Sequence, residues 1–466
     1  MIAPARIAAF RALQAVTSRA ADLPDALHRV RSGLPDRRDR ALTGEIVTGT
    51  LRWLAALDHL VAHFADRPVT KLDPVVRDVL RISVYQLVHL DRVPTSAVVN
   101  DAVEITRTAG RRHATGLTNA VLRALSRAQP DLPLPPPPPE DALAAVASLS
   151  FSNWPDQLRQ TAVRFLSTTQ SHPAWLVERW LDRYGYAATV AWTEFNNRPA
   201  RLSLRVNTLR TDAETLTTRL AERAVSVEPA RYAPNGLVVT AGNPLLTDLA
   251  SSGDFFVQDE ASQLIAPLVH AAPGHRVFDA CAAPGGKTVS MAAAMANRGL
   301  LVAGDARERR LALLAETVEQ AGAGVAHLIA ADLTRGAPFG PVFDGVLVDA
   351  PCTGLGTIRR DPEIRWRRGP DDPDRLAARQ LAMLRSAAAT VRPGGRLVYA
   401  TCSSEPEENE RVVEAFLASS PTFRQQPSDF KGGVGLTSTI DAAGHLRTYP
   451  HAHALDAFFG AALVHE

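Results

Sequence analysis

RVFDACAAPGGKT, residues 276–288, is a short apolar strand followed by a Gly-rich loop and the start of a helix. Gly285 and Gly286 allow the backbone to come close to a ligand. The unpaired amides at a helix N-terminus attract a polar or anionic ligand group. The stretch therefore predicts a ligand-binding turn between a strand and a helix, and it sets the fold class expected for the residues around it.

The letters GGKT also raise a phosphate-binding loop as an alternative. That loop has the pattern G-x-x-x-x-G-K-[ST], which requires Gly at the position of Cys281. The stretch also lacks the pattern G-x-G-x-x-G of dinucleotide-binding folds. Neither nucleotide-binding fingerprint is supported.

Downstream of residue 250 the order of strand, loop and helix repeats. Continuous apolar runs separated by helical segments are typical of a parallel sheet that helices cover on both faces. We therefore predict a doubly wound α/β, Rossmann-like domain over residues 251–466, in which ligands bind beyond the carboxyl ends of the strands. The predicted strands are RVFDA, LLVAGDA, AHLIAADL, DGVLVDAP and GRLVYATC.

Three other segments precede this domain. Residues 1–130 carry apolar residues at spacings of three and four, which predicts an all-α helical bundle. Residues 131–141 include five consecutive prolines and predict an extended, semi-rigid linker. Residues 142–250 mix a helical segment with alternating strand-like segments, so we expect a small α+β insert there.

The charge distribution indicates a globular protein with a basic N-terminal region. The chain has 46% hydrophobic and 21% charged residues and a net charge of +2. Residues 1–130 contain 19 Lys and Arg against 12 Asp and Glu. This excess favours an anionic partner such as nucleic acid, although a solvated helical surface rich in Arg is the alternative.

The cysteines and the N-terminus limit the class of protein further. Cys281, Cys352 and Cys402 are too few for a disulfide framework and have no metal-binding spacing, so we expect reduced thiols and no metal. No stretch has the roughly 18 uncharged apolar residues of a membrane span. Arg6 and Arg11 interrupt the first apolar segment. We expect a cytoplasmic protein without membrane contact, and a monomer because no oligomer is implied.

Acidic residues end several of the predicted strands. Asp305 closes the strand after the Gly-rich loop, where a carboxylate can accept both hydrogen bonds of a ribose diol. Asp332 ends the third strand, where a carboxylate can accept from an adenine amino group. One such Asp is more often a cap or a turn residue. Together with Asp279 they indicate a nucleoside-binding site at one sheet edge.

Two of the cysteines also follow predicted strands, in DAPCTG and ATCS. A cysteine at a strand end is often an inert core residue. As a pair at one edge, Cys352 and Cys402 can instead provide a thiolate for covalent catalysis. The residues alone leave open which of the two is the nucleophile.

The set CAAPGGKT, GDA, AADL, DAPCTG and ATCS resembles the S-adenosylmethionine-dependent RNA cytosine-5 methyltransferases. LRISVYQLVHLDRVPTSAVVNDAVEI and TGLTNAVLRAL resemble the NusB-like RNA-binding fold, which points to the RsmB/Sun (Fmu) type that acts on small-subunit (16S) rRNA. The resemblance covers nearly the whole chain and includes FFVQDEASQL, GTIRRDPEIRW and ATCSSEPEENE. One departure is Ala457, where Gly is expected before the paired Phe residues.

The resemblance implies a covalent mechanism and a role for each reacting residue. Cys402, in the TCS motif, would attack carbon 6 of cytosine, which makes carbon 5 able to accept a methyl group. Cys352 would assist breakdown of the adduct. Asp349 would protonate or hydrogen-bond N3, and Lys287 would orient the groups around it.

The resemblance also implies which residues bind the cofactor, S-adenosylmethionine. These are Cys281, Ala282, Ala283, Pro284, Gly285, Gly286, Lys287, Asp305, Arg310, Asp332 and Asp349.

RNA contacts are expected in the Arg-rich stretch after Cys352, because Arg binds phosphate and an aromatic ring stacks on a base. The candidates are Arg359, Arg360, Arg365 and Trp366. The target cytosine has to leave its stack, which favours single-stranded or loop RNA. Two alternatives stay open: the same chemistry on tRNA or another RNA, and a NusB-like RNA-binding or transcription factor with an inactive methyltransferase domain.

Overall fold

The computed structural model describes residues 2–427 and 436–466. Its contacts divide the chain into two compact units. The first unit contains the residues up to Arg198 together with Ile358–Gly369, and the second contains Pro199–Thr357 and Pro370–Glu466. The Arg-rich segment after Cys352 thus belongs to the first unit, and the expected insert 142–250 is divided between the two.

The first unit is helical, as the apolar spacing predicted. Three of the helices described below begin at side-chain caps: Asp22 accepts from Asp25 N, Asp36 from Arg38 N and Asp73 from Val75 N. The apolar faces of the first helices form one core. The α-helices are Pro4–Thr17, Leu23–Arg31, Arg37–Arg52, Leu54–Ala65, Pro74–His89, Thr95–Thr108, Thr115–Ala128, Glu140–Ala145, Asp156–Arg164, Ala174–Asn197 and Ile364–Arg367, with a π-helical turn at Phe165–Thr169.

The proline-rich stretch is extended and packs against helices of the first unit. Leu132 and Leu134 contact the helical core. Pro133 O lies 2.9 Å from His59 Nε2, and Thr169 Oγ1 donates to Pro135 O at 2.6 Å. Because Pro removes backbone donors, these carbonyls are satisfied by side chains of neighbouring elements.

The second unit begins with a four-stranded antiparallel sheet in the order β2-β3-β1-β4. Its apolar face packs against the helix Ala213–Ala221. The strands are β1 Ser203–Val206, β2 Ser226–Pro229, β3 Gly236–Ala241 and β4 Phe255–Val257.

The larger sheet of the second unit has the order β10-β12-β9-β8-β5-β6-β7, with β11 paired to β12. The strands are β5 Arg276–Asp279, β6 Leu300–Asp305, β7 Ala326–Ala330, β8 Phe343–Asp349, β9 Val391–Thr401, β10 Phe423–Gln426, β11 Leu446–Arg447 and β12 Phe459–His465. The α-helices of this unit, besides Ala213–Ala221, are Glu260–Gln263, Gly286–Ala294, Glu308–Ala321, Asp372–Ala388, Glu410–Ser419 and Pro450–His453.

Five strands of this sheet, β5 to β9, are parallel, and each corresponds to a predicted strand. The doubly wound α/β class is therefore confirmed. The five predicted strands are joined by further strands that run antiparallel, because β12 pairs with β9 and β10 pairs with β12. The sheet is mixed.

Both faces of the large sheet are buried, which explains the continuous apolar runs. Val277 packs in one core with Leu347, whereas the next residue, Phe278, packs in the other core with Val346. Neighbouring residues of a strand point to opposite faces, so each strand contributes to both cores.

The parallel strands all end at the same edge of the sheet. Asp279, Asp305 and Asp349 are the last residues of β5, β6 and β8, and Cys402 directly follows β9. The predicted site residues are thereby brought together. Within the described residues, no helix is long and apolar enough to cross a membrane.

Candidate active site

The Gly-rich loop connects β5 to the helix Gly286–Ala294. Ala282 N donates to Gly304 O at 2.8 Å, which holds the loop beside β6. Gly285 has a φ of 110°, a conformation that residues with side chains rarely adopt. A Cβ atom at this position would lie 2.9 Å from Leu314 Cδ1. The path of the loop therefore requires Gly at 285.

Asp279 is a buried acid with one unsatisfied oxygen. Its Oδ2 accepts from Thr288 Oγ1 at 2.6 Å, whereas Oδ1 has no hydrogen-bond partner among the described residues. Burial raises the pKa of Asp279 to about 7 and outweighs the opposing effect of Thr288. A buried, unpaired carboxylate oxygen is costly unless a ligand supplies a donor. Asp279 was predicted as one of the acidic strand ends, and its unpaired oxygen is suited to a cationic ligand group.

Asp305 and Arg310 form an ion pair at the end of β6. Arg310 Nη1 lies 3.2 Å from Asp305 Oδ2, and Arg307 N donates to Asp305 Oδ1 at 3.1 Å. Arg310 Nη2 also donates to Ala283 O in the Gly-rich loop. Arg310 therefore ties the predicted ribose-binding carboxylate to that loop.

Asp332 follows β7 and caps the short 3-10 turn Leu333–Arg335. Its Oδ1 accepts from Thr334 Oγ1 at 2.7 Å and from Thr334 N at 3.0 Å. These hydrogen bonds, the hydroxyl first, lower the pKa of Asp332. The side chain has the capping role common for a lone Asp, and its charged form is also able to accept from an amino group.

Lys287 and Asp349 form a close ion pair beside the cysteines. Lys287 Nζ donates to Asp349 Oδ2 at 2.6 Å, and the two side chains are 12% and 29% exposed. Burial alone would lower the pKa of Lys287, but the carboxylate of Asp349 and the Cys402 sulfur outweigh it and raise the pKa. Lys287 thus stays charged and fixes the position of Asp349.

The two sulfur atoms of Cys352 and Cys402 are 3.2 Å apart, and neither cysteine is in a disulfide. Their loops follow β8 and β9, which are adjacent parallel strands with Asp349 opposite Ala400. The hydrogen bond with Cys402 and then burial raise the pKa of Cys352 well above its usual value. These effects favour the protonated form of Cys352, and either sulfur can be the donor in the hydrogen bond between them.

The other residues of the Gly-rich loop serve packing as well as ligand approach. Ala282 and Ala283 pack against Leu314 in a small apolar cluster. Burial raises the pKa of the Cys281 thiol well above its ordinary value, and Asp279 adds to the shift. The thiol form of Cys281 is accordingly favoured over the thiolate.

The predicted RNA contacts lie in the first unit, and one of them requires a correction. Arg365 is 0% exposed, and its Nη1 donates to Ser171 O at 2.8 Å and to Asn197 Oδ1 at 3.1 Å. A buried guanidinium bound to acceptors of the protein is not available to phosphate, so the assignment of Arg365 to RNA binding was wrong. Trp366 Nε1 donates to Leu51 O at 2.6 Å.

Arg359 and Arg360 are both partly exposed. The guanidinium of Arg359 lies 4.3 Å from the ring centroid of Phe195, and its Nε donates to Arg198 O at 3.3 Å. These positions leave Arg359, Arg360 and Trp366 as candidate RNA contacts. Over residues 2–427 and 436–466, no cluster of His, Cys, Asp and Glu has a grouping that could hold a metal ion.

Comparison with known proteins identifies three regions. Residues 266–464 match the family model of 16S rRNA methyltransferase RsmB/F, and residues 3–127 match the NusB family. Residues 172–245 match the ferredoxin-like domain of RsmF/B-like methyltransferases.

Similar proteins cover almost the whole chain. Ribosomal RNA small subunit methyltransferase B of Pseudomonas putida is 36% identical over 90% of this chain and 90% of its own length. The probable ribosomal RNA small subunit methyltransferase B of Bacillus subtilis is 33% identical over 92% of this chain and 91% of its own. The crystal structure of PH0851 matches 100% of this chain and 99% of its own length, with a TM-score of 0.79 and 26% identity. The chain therefore belongs to the RsmB/F family of 16S rRNA methyltransferases, enzymes that use S-adenosylmethionine.

Proposed function

We propose that this enzyme methylates carbon 5 of a cytosine in 16S rRNA through a covalent adduct with Cys402. The observation that carries the proposal is the 3.2 Å contact between the sulfur atoms of Cys352 and Cys402, at the sheet edge that also holds Asp349. Cytosine-5 methylation needs a nucleophile, a proton donor for N3 and a releasing group around one base. The names of the relatives in Pseudomonas putida and Bacillus subtilis support small-subunit rRNA as the substrate.

The residues at the ends of β5, β6 and β7 fit S-adenosylmethionine. When bound, this cofactor supplies a methyl group carried on a positively charged sulfur. Asp305 would accept from the ribose hydroxyls and Asp332 from the adenine amino group. The unpaired Oδ1 of Asp279 would accept from the ammonium group. Arg310 would hold Asp305 and the Gly-rich loop in place.

The first chemical step is the addition of the Cys402 thiolate to carbon 6 of the cytosine. A sulfur–carbon bond forms, and the electron pair of the carbon 5–carbon 6 double bond becomes available at carbon 5. The Asp349 carboxylate takes the thiol proton of Cys402 as the thiolate forms and delivers it to N3, which becomes more basic during the addition. Lys287, 2.6 Å from Asp349 Oδ2, stabilises the carboxylate that results. Carbon 5 then takes the methyl group, and S-adenosylhomocysteine leaves.

Release of the methylated base reverses the addition. The proton on carbon 5 passes to water, the bond between carbon 6 and the sulfur breaks, and its electron pair returns to Cys402. N3 gives its proton back to Asp349. Cys352 keeps its proton and lies 3.2 Å from the departing sulfur, so it donates a hydrogen bond that stabilises the leaving thiolate.

RNA binding and cellular setting are parts of the same proposal. Residues 1–130 would bind rRNA through their basic surface, as a NusB-like domain, with 131–141 as a linker, 142–250 as an insert and 251–466 as the catalytic domain. Arg359, Arg360 and Trp366 would add contacts. The enzyme would act in the cytoplasm as a monomer.

The substrate is tested by incubating the protein with labelled S-adenosylmethionine and unmethylated 16S rRNA, and then mapping 5-methylcytosine by bisulfite sequencing. We expect label at one cytosine of 16S rRNA. Label found only in tRNA would identify tRNA as the substrate in place of 16S rRNA. The absence of methyl transfer to any RNA would contradict the proposed activity.

The roles of the two cysteines are tested by single substitutions. Cys402→Ala should abolish both methylation and covalent capture of RNA. In the Cys352→Ala protein, Cys402 should still attack the cytosine. The protein–RNA adduct should then accumulate and be visible as a shifted band under denaturing conditions. A Cys402→Ala protein that still forms the adduct would reverse the assignment.

A further inference from the structure

Glu408 is a fully buried carboxylate that the proposed mechanism does not use. It ends the 3-10 turn Pro406–Glu408 and is 0% exposed. Its Oε1 accepts from Thr353 N at 2.8 Å and from Gln380 Nε2 at 2.9 Å. Its Oε2 accepts from Thr353 Oγ1 and Ser403 Oγ, each at 2.5 Å. Four donors therefore converge on one side chain.

These donors connect the loops of both cysteines. Thr353 directly follows Cys352, and Ser403 directly follows Cys402. Gln380, on the helix Asp372–Ala388, also donates to the carbonyl of Pro351, on the other side of Cys352, at 3.1 Å. One carboxylate thus bridges the two loops that hold the sulfur atoms 3.2 Å apart.

The hydrogen-bond pattern fits the charged form of Glu408. A carboxylate offers about four acceptor sites and no donor, which matches the four donors. Thr353 N can only donate, and Gln380 donates through Nε2 because its Oε1 accepts from Tyr399 Oη at 3.1 Å. Burial raises the pKa of Glu408, while the hydrogen bonds from Ser403 and Thr353 oppose this shift. Charge-assisted bonds of this kind are stronger than neutral ones.

The charge of Glu408 also acts on Cys352. The groups that face this thiol are Cys402 and Tyr399 on β9 and its loop, and Glu408 on the following turn. Contact with Cys402 and burial raise the pKa of Cys352 most, and the negative charge of Glu408 raises it further. The positive charge of Lys287 instead interacts with Cys402. The charge of Glu408 therefore favours the protonated form of Cys352, whereas Lys287 lies on the side of Cys402.

We propose that Glu408 is a positioning residue of this site: its carboxylate bridges the two cysteine loops, fixes their spacing and keeps the proton on Cys352. The inference rests on the proposed function. It adds that the nucleophile and the releasing group are distinguished by a buried charge that touches neither substrate nor cofactor.

The protonation part is tested by alkylation of Cys352 with iodoacetamide across pH. The protein carries Cys281→Ala and Cys402→Ala, so that Cys352 is the one remaining thiol. Adding Glu408→Gln should lower the pH midpoint of alkylation by about one unit, because a nearby negative charge is lost. Glu414→Gln is the matched control, since Glu414 is exposed on the next helix, and it should leave the midpoint unchanged.

A second variant separates charge from structure. Ser403→Ala removes one donor to Glu408 but keeps the carboxylate, so it should leave the midpoint of Cys352 alkylation unchanged. An unchanged midpoint in Glu408→Gln, or an equal shift in Ser403→Ala, would overturn the electrostatic role. This measurement needs no RNA, so its result tests the role of Glu408 even if the proposed function is wrong.

The spacing part is tested by methylation with all three cysteines present. Glu408→Asp keeps the charge but shortens the reach, and it should lower kcat about tenfold or more while the affinity for S-adenosylhomocysteine stays unchanged. The Glu408→Asp variant also keeps the spacing role testable if the Glu408→Gln protein does not fold. A Glu408→Asp enzyme with wild-type kcat would overturn the spacing role, whereas a wild-type enzyme that methylates no cytosine would overturn the proposed function instead.

Discussion

Replacement of Arg365 by Met is expected to destabilise the first unit strongly, although Arg365 stands in a stretch that reads as a surface loop. Met keeps much of the apolar volume of the side chain but removes every donor. The acceptors Ser171 O and Asn197 Oδ1 then remain buried without their partner.

The magnitude follows from the quality of these contacts. Two are well formed, at 2.8 and 3.1 Å, and the contacts to Arg52 O at 3.3 Å and Asn196 O at 3.5 Å are long. A hydrogen bond to a charged group contributes about 1.5–3 kcal/mol. Desolvation of the guanidinium, which lowers the pKa of Arg365, offsets part of this. We expect the free energy of unfolding to fall by about 2–4 kcal/mol.

Tryptophan fluorescence during urea unfolding measures this change selectively, because all six tryptophans lie in the first unit. They are Trp53, Trp154, Trp175, Trp180, Trp192 and Trp366. In a thermal experiment with the same signal, the midpoint should fall by roughly 5–15 °C.

Arg367→Met is the matched control on the same short helix. Arg367 is exposed and pairs with Glu363 at 3.3 Å, so its loss should cost no more than about 1 kcal/mol. Equal stability of the two variants would refute the buried-anchor interpretation. If the Arg365→Met protein has normal stability but binds rRNA weakly, the result would instead support Arg365 as an RNA contact.

Three further perturbations concern the cofactor loop and the ion pair. Gly285→Ala should lower the affinity for S-adenosylhomocysteine about tenfold or more in calorimetry, because the positive φ and the closeness of Leu314 oppose a side chain at this position. Gly324→Ala is the control: a side chain at residue 324 meets open space, so this variant should bind with normal affinity. The wild type should lose stability relative to Asp279→Asn as pH rises from 4 to 7, because Asp279 ionises near its ordinary pKa in the unfolded chain but only at about 7 in the folded protein. A difference in the free energy of unfolding that does not change with pH would contradict the raised pKa. Lys287→Met should lower the rate of methylation about a hundredfold, because the positive charge beside Asp349 is lost. The rate is measured in a single-turnover experiment, and an unchanged rate would contradict the prediction.

The parallel strands and their ends could be predicted because each strand is a continuous apolar run followed by Asp or Cys. The residues that close the sheet could not. Phe459–His465 is also apolar, but its antiparallel pairing with β9 depends on a partner about 60 residues away. Pairing direction is a property of two segments, and a single run does not reveal it.

Burial of charged side chains was hidden for a similar reason. Arg365 lies among other Arg residues and reads as a surface group, yet it is buried because Ser171 and Asn197 supply distant acceptors. Glu408 lies in an acidic run and reads as solvated, yet Thr353 and Gln380 make its burial possible. A signal for Glu408 was its motif, ATCSSEPEENE, in which four acidic residues follow the cysteine within eight positions. Its role depends on contacts that no local pattern encodes.

The inclusion of Ile358–Gly369 in the first unit has a consequence for synthesis of the protein. The helices up to Arg198 leave the ribosome long before Arg365, the residue that occupies their interior. At about 5–20 residues per second, the intervening segment takes roughly ten to thirty seconds to translate. During that interval Ser171 O and Asn197 Oδ1 lack their buried partner, and translation that stops before residue 358 yields a product without it. Completion of this buried site is therefore timed by translation of the segment after the DAPC motif.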